Sequence, residues 1–232
     1  EVLQLNEETL WAGSPVDNNN PGALANLPRI REALFAGRYA EASALAERYL
    51  LGTPPRIRSY QPLGDLVIEL EGVRAGPGYE RSLDLGDGVA AVVCETGAGA
   101  AVLREVLASA VDDVLAVRVA AGRGGRITGT VRLGRARDAS TAAAGPRGLA
   151  LTGRIVDAPD PLSGPGGEHM RFAARLEALA EGGRVVASDG ALRIENAEAV
   201  TLLLAAATDY DPERLAFDAG ADPDAEAAAT IA

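Results

Sequence analysis

Carboxylates are the residues best placed to do chemistry in this chain, and they stand in pairs at Glu7 and Glu8, Asp112 and Asp113, and Asp209 and Asp211. Two carboxyls can hydrolyse a glycosidic bond. One stays protonated and donates to the leaving oxygen, while the other acts as nucleophile or base, at about 5–5.5 Å for retention and about 6.5–9.5 Å for inversion. Adjacency alone does not build such a pair, because neighbours on a strand point to opposite faces. Asp112 and Asp113, with Asp87, Asp157, Asp160 and Asp189, read as solvated turn residues. Glu7 and Asp65 remain as acid or base if the chain is an enzyme complete in itself.

Other chemistries find less support. The single histidine, His169, lies in a glycine-rich stretch with no serine-centred elbow beside it, and reads as a loop or strand-start residue. One cysteine, Cys94, makes no internal disulfide and reads as a small buried apolar group. One cysteine and one histidine do not supply the usual zinc spacing, and no metal or cofactor is expected. The glycine clusters lack the strand–GxxxxGK–helix setting of a phosphate cradle and read as turns.

Two stretches mix amide, carboxylate, hydroxyl and aromatic groups: "LNEETLWAG" and "RSYQPLGDL". That mixture suits sugar hydroxyls and the apolar face of a pyranose. It equally suits a packing corner in which Trp11, the only tryptophan, and Tyr60 seal neighbouring elements while Asn6 and Gln61 bond loop backbone. Both readings stay open.

The elements that position these residues follow from periodicity and charge. With 33 acidic and 22 basic residues the net charge is −11, which disfavours phosphate backbones and anionic membranes as partners. No lysine occurs, and alanine inflates the apolar fraction of 47%. This bias suggests a GC-rich bacterial genome. Neither a leader nor an apolar run of about 18 residues is visible, so a soluble protein is expected, cytoplasmic or secreted.

"GSPVDNNNPG" is dense in turn formers and reads as an exposed loop. In "LPRIREALFAGRYAEASALAERYLLG" the period is helical: Pro28 suits a first turn, Ile30, Leu34 and Phe35 share a face, and Gly37 closes the helix. A second helix carries Tyr39, Ala42, Leu45, Ala46 and Tyr49 to a stop at Gly52, so a helical hairpin is expected over about 27–51. From Gly64 the period becomes two, with turn signals every ten residues or so. Eleven strands are expected, from "DLVIEL" to "AVTLLLAAA", the last apolar on both faces like a central strand. "STAAAGPRG" and "SGPGGEH" read as long loops. The fold class is mainly β: a large antiparallel sandwich of two stacked sheets with an inserted helical hairpin.

"LQLNEETLWAGSPVDNNNPGAL", the helical pair, "SYQPLGDLVIEL", "YERSLDLGDGVAAV", "REVLASAVDDVLAVRV" and "AVTLLLAAATDY" occur in the order and approximate spacing of one known domain. From Leu3 to about Tyr210 the chain resembles the N-terminal domain of glycoside hydrolase family 95, chiefly α-L-fucosidases acting on terminal α-1,2-linked fucose, with some α-L-galactosidases. The resemblance implies a β-supersandwich over 1–210 and, over 211–232, a linker toward a catalytic (α/α)6 barrel. In that family an inverting reaction is carried by residues of the barrel. No position here matches those motifs, so none is carried over, and the chain alone is expected to be inactive.

The same resemblance implies earlier strands ahead of Glu1, and hence a fragment or a truncated gene. The implied partners are the barrel of the parent protein and its fucosylated glycan. Asn6, Glu7, Thr9, Trp11, Tyr60 and Gln61 are the residues expected to face the barrel and border its sugar pocket. A reading from another class is a stand-alone carbohydrate-binding sandwich in which Trp11 and Tyr60 stack on sugar.

Overall fold

The computed structural model describes residues 1–13, 16–97 and 99–232. Ser14 and Pro15, in the expected loop, lie outside the described residues, and the remainder of that loop, 16–22, is irregular or turned. In chain order, β1 (Val2–Leu5) precedes α1 (Ala23–Phe35) and α2 (Tyr39–Tyr49). There follow β2 (Gly64–Leu70), β3 (Val73–Arg74), β4 (Glu80–Asp84), β5 (Val89–Thr96), β6 (Ala101–Ser109), β7 (Val114–Ala121) and β8 (Ile127–Gly134). Then come β9 (Ala139–Ala143), β10 (Gly148–Asp157), β11 (Gly167–Glu181), β12 (Arg184–Ser188), β13 (Ala191–Ala197) and β14 (Ala199–Thr208). The ribbon β15 (Tyr210–Asp211) and β16 (Ala216–Phe217) leads to α3 (Pro223–Thr230).

The chain divides into a larger unit, Glu1–Leu10 with Gln61–Arg154 and Met170–Ala232, and a smaller one, Trp11–Tyr60 with Ile155–His169. The larger unit holds the antiparallel sandwich that the alternating pattern predicts. One sheet has the order β1-β2-β8-β13-β12, and the other β3-β5-β6-β7-β14-β11-β10-β9, with β4 also on β5. Inward positions alternate along the strands: Leu66 and Ile68 on β2, Val131 and Leu133 on β8, Leu192 and Ile194 on β13, opposite Leu149 and Leu151 on β10 and Phe172 and Leu176 on β11, all at most 2% exposed. Fully burying each such side chain contributes roughly 1.5–3 kcal/mol, so this alternation carries most of the fold. Thr141 Oγ1 also bonds across the sandwich to the Leu133 carbonyl at 2.8 Å.

β14 is central in the larger sheet, between β7 and β11, and is apolar on both faces as expected. Its outer face is covered by α3, whose Ala227 is fully buried. Asp222 caps that helix through the N–H groups of Asp224 and Ala225, with Pro223 at the first helical position. Arg175 of β11 fixes it sideways, with Nε and Nη2 each 2.5 Å from an Asp224 oxygen.

Four local expectations are corrected. "STAAAGPRG" is not a long loop: 139–143 form β9, paired with β10 from Leu149↔Ala143 to Gly153↔Ala139, and only 144–147 turn. Its alanines, serine and threonine give little polar–apolar contrast, so period two does not show. "SGPGGEH" likewise shrinks, because β11 begins at Gly167. In the smaller unit α1 starts at Ala23, and Pro28 lies inside the helix. The carbonyl left without a partner by the missing N–H is that of Leu24, whose residue is 83% exposed and can be solvated. The buried face of α1 is Ile30 and Ala33, while Leu34 and Phe35 point outward. α2 packs on α1 through a surface that buries Ala42.

Candidate functional site

The polar turn after β1 places Glu7, and its carboxylate folds back on Thr9. Oε2 accepts the Thr9 N–H at 2.8 Å, and the Thr9 hydroxyl lies 3.0 and 2.9 Å from the two oxygens. That hydroxyl also meets Thr208 Oγ1 at 2.5 Å, a contact in which either hydroxyl can donate, and Thr208 Oγ1 accepts from the Tyr210 N–H at 3.3 Å. A chain of hydrogen bonds thus links the end of β14 to Glu7. Burial raises the Glu7 pKa above the usual glutamate value; the two bonds from Thr9 oppose this, and the charges of Glu8 and Asp113 add to it. Asn6, Glu7, Glu8, Ser109 and Asp113 line a recess of about 400 Å³ in the larger unit. Leu5, Val114, Leu115 and Leu204 complete its wall, so the recess sets acidic groups beside apolar surface, an arrangement suited to hydroxyl groups rather than to anions.

In the smaller unit Trp11 and Tyr60 form an isolated antiparallel bridge, reinforced by the Ala12 N–H on the Ser59 carbonyl at 2.9 Å. Their rings meet edge to face, 5.3 Å between centroids at 72°, a favoured aromatic geometry. Trp11 is 40% and Tyr60 38% exposed, so the pair is a packing corner that still presents aromatic surface. The turn leaves Trp11 through Gly13, at φ +88°, whose N–H donates to Asp157 Oδ2 at 2.7 Å. Asp157, expected to be a solvated turn residue, instead ends β10 with its side chain 11% exposed. The backbone amide it accepts accounts for its inward position.

Gln61 keeps different company. Its N–H donates to the Leu10 carbonyl at 3.0 Å, and its Oε1 accepts from Arg135 at 3.3 Å and Arg137 at 3.4 Å. The Arg135 guanidinium lies 5.0 Å above the Phe172 ring, and burial pulls its pKa below the ordinary arginine value. Of the six candidates, the structure pairs Glu7 with Thr9 and Trp11 with Tyr60, and gives Gln61 two arginines. Asn6 lines the recess beside Glu7. Thr208, Arg135 and Arg137 were missed; the arginines of "GRARD", following a strand, were the available signal.

In the remaining acidic pairs Asp112, Asp209 and Asp211 hold local structure. Asp112 accepts from Ser109 Oγ at 2.7 Å in the turn that includes Asp113 at φ +55°. Asp209 is 7% exposed and binds Arg171, whereas Asp211 accepts the N–H groups of Glu213 and Arg214. Cys94 is buried, with Arg104 Nη2 3.8 Å from its sulfur. Among the described residues no group of three or more His, Cys, Asp or Glu is arranged to hold a metal ion, and no helix is long and apolar enough to cross a membrane.

Residues 1–213 match the family described as "Glycosyl hydrolase family 65, N-terminal domain", and the chain belongs to that family. Two curated relatives carry fucosidase names. "Alpha-L-fucosidase 2" of Arabidopsis thaliana is 30% identical over 241 residues, covering 96% of this chain and 28% of that protein. "Probable alpha-fucosidase A" of Aspergillus niger is 33% identical over 126 residues, covering 51% of this chain and 15% of that protein. The chain thus spans less than a third of either relative. The expected likeness to the N-terminal domain of a glycoside hydrolase, with relatives named as α-fucosidases, is found.

Proposed function

We propose that this chain is the non-catalytic N-terminal β-supersandwich, over 1–210, of an α-L-fucosidase-like enzyme, with 211–232 leading toward a helical barrel in the parent polypeptide. The barrel carries inverting hydrolysis of terminal α-1,2-linked fucose. One observation carries this reading: the chain aligns along 96% of its length with a protein named alpha-L-fucosidase 2 yet covers 28% of it. Asp112, Asp209 and Asp211 are also engaged in holding backbone and side chains of this chain. Asn6, Glu7, Thr9 and Gln61 from the larger unit, and Trp11 and Tyr60 from the smaller, are each proposed to face the barrel and border its sugar pocket.

The test compares the isolated chain with the full-length parent on an α-1,2-fucosylated oligosaccharide. The parent releases fucose and the chain alone does not, while Trp11→Ala in the parent lowers activity or weakens domain docking. Fucose release by the isolated chain overturns the reading. A second reading, a stand-alone carbohydrate-binding sandwich, is favoured by the exposed surface of Trp11 and Tyr60. Glycan binding by the isolated chain that disappears in Trp11→Ala distinguishes it.

A further inference from the structure

The chain's one histidine is buried against a carboxylate that has another task. The His169 side chain is 5% exposed, and among the described residues its Nε2 has no hydrogen-bond partner. Asp157 Oδ2 lies 3.6 Å from that nitrogen, beyond hydrogen-bond reach, and the same oxygen accepts the Gly13 N–H at 2.7 Å. Gly13 is fixed in the left-handed region, where a Cβ would lie 2.4 Å from Arg58 Cγ. A single oxygen therefore stands between the turn that carries Trp11 and an unsatisfied imidazole nitrogen.

We propose that His169 is a proton-operated latch on the Trp11 turn. The neutral imidazole leaves Oδ2 to Gly13. On taking a proton from water both ring nitrogens become donors, and the imidazolium attracts Asp157 more strongly than it would in bulk water because both side chains are buried. Oδ2 is drawn toward Nε2, the Gly13 bond lengthens, and Trp11, two residues upstream, shifts against Tyr60.

Charged groups in the neighbouring segments have interactions of their own, Arg154 on β10 and Arg171 on β11 among them, the latter bonded to Asp209 and the Ala221 carbonyl. Arg58 donates to the carbonyls of Ser163, Gly164 and Pro165. Asp160 accepts from Ser163 and Leu162 and faces Arg58 and Arg56. Glu168 precedes His169 on β11, so its side chain leaves the opposite face of the strand, where it has an interaction of its own. The latch does not depend on what Trp11 faces in the parent enzyme.

One tryptophan and one histidine make the experiment direct, with the full chain purified without a histidine tag. Trp11 emission reports the turn, and the imidazole C2–H NMR resonance reports His169, both followed from about pH 5 to pH 8, where imidazoles titrate. The wild type is expected to show a one-proton step in emission whose midpoint coincides with that of the imidazole. His169→Gln removes the step. Asp157→Asn also removes it, because the amide still accepts from Gly13 but offers the imidazolium no charge. A flat wild-type emission, a midpoint different from that of the imidazole, or a step that survives in His169→Gln overturns the proposal. Should a variant lose its β signal in circular dichroism, the coincidence of the two wild-type midpoints decides.

Discussion

Asp209, just past the end of β14, clamps Arg171 of the neighbouring β11 through both of its oxygens: Oδ1 accepts the Arg171 backbone N–H at 2.9 Å and Oδ2 the Nε–H at 2.9 Å. Arg171 Nη2 extends the clamp to the Ala221 carbonyl at 2.7 Å, just before α3. Removing one partner of a buried pair costs about 3–5 kcal/mol. Arg171 retains 32% side-chain exposure, which lets water take over part of the loss. Asp209→Ala is therefore expected to destabilise by about 2–3 kcal/mol in urea unfolding. Asp209→Asn, still able to accept from the backbone N–H, should cost less, and equal losses in the two variants would contradict the clamp.

Gly153 is a second point where packing leaves no slack. It sits on β10 opposite Ala139, and a Cβ there would lie 2.3 Å from Phe172 Cζ and 2.4 Å from the Asp138 carbonyl. Neither a backbone carbonyl nor a core phenyl ring yields easily. Gly153→Ala should lose about 3 kcal/mol, at the upper end of ordinary overpacking. Gly145→Ala is a useful contrast, since its space is open and its φ of +82° is the only objection; a loss of about 1–2 kcal/mol is expected there.

Trp11→Ala separates a structural role from a contact surface. The indole is 40% exposed, and its edge-to-face partner is the equally open Tyr60. The aromatic pair itself contributes about 0.5–1.5 kcal/mol. Thermal unfolding of the isolated chain should thus shift by only a few degrees, far less than for a core deletion such as Phe172→Ala, which should cost about 3–5 kcal/mol. A Trp11→Ala loss as large as that of Phe172→Ala would make the tryptophan a core residue and remove the reason to assign it a partner.

The sandwich was legible because Val, Leu and Ile alternate with polar residues along β2, β8 and β13, and the glycine links mark the turns. β14 was legible as central because its leucines and alanines leave no polar face. β9 was not, since Ala139–Ala143 carry too little contrast for period two to show. Pro28 misled in the other direction: its preference for a first turn is a local rule, and an exposed helix tolerated it one turn further in. At the candidate site, Glu7 and Thr9 lie two residues apart and their contact could be guessed. Thr208, 199 residues away from Thr9, could not, because β14 and β1 lie in different sheets and only the packing of the two brings the end of β14 to that turn. Asp157 was misread because its hydrogen-bond partner lies 144 residues upstream at Gly13.

Glu7 supplies a prediction in pH. Burial raises its folded-state pKa above the ordinary glutamate value, so between the two values the folded chain holds a proton that the unfolded chain has lost. Stability must therefore fall as pH rises through that window and level off above it. Glu7→Gln cannot ionise, yet its carbonyl can still accept the Thr9 N–H and its amide can donate to the Thr9 hydroxyl, which keeps the local bonds. It also removes the repulsion from Glu8 and Asp113. Asp160 and Glu181, whose pKa values are lowered by their own partners, lose stability in the opposite sense as pH falls, but they are present in both proteins and cancel in the comparison. The melting temperature of Glu7→Gln relative to wild type should accordingly rise between about pH 4 and pH 7, from near parity at the acidic end. A difference that stays constant across that range would mean that Glu7 is not held against its ionisation.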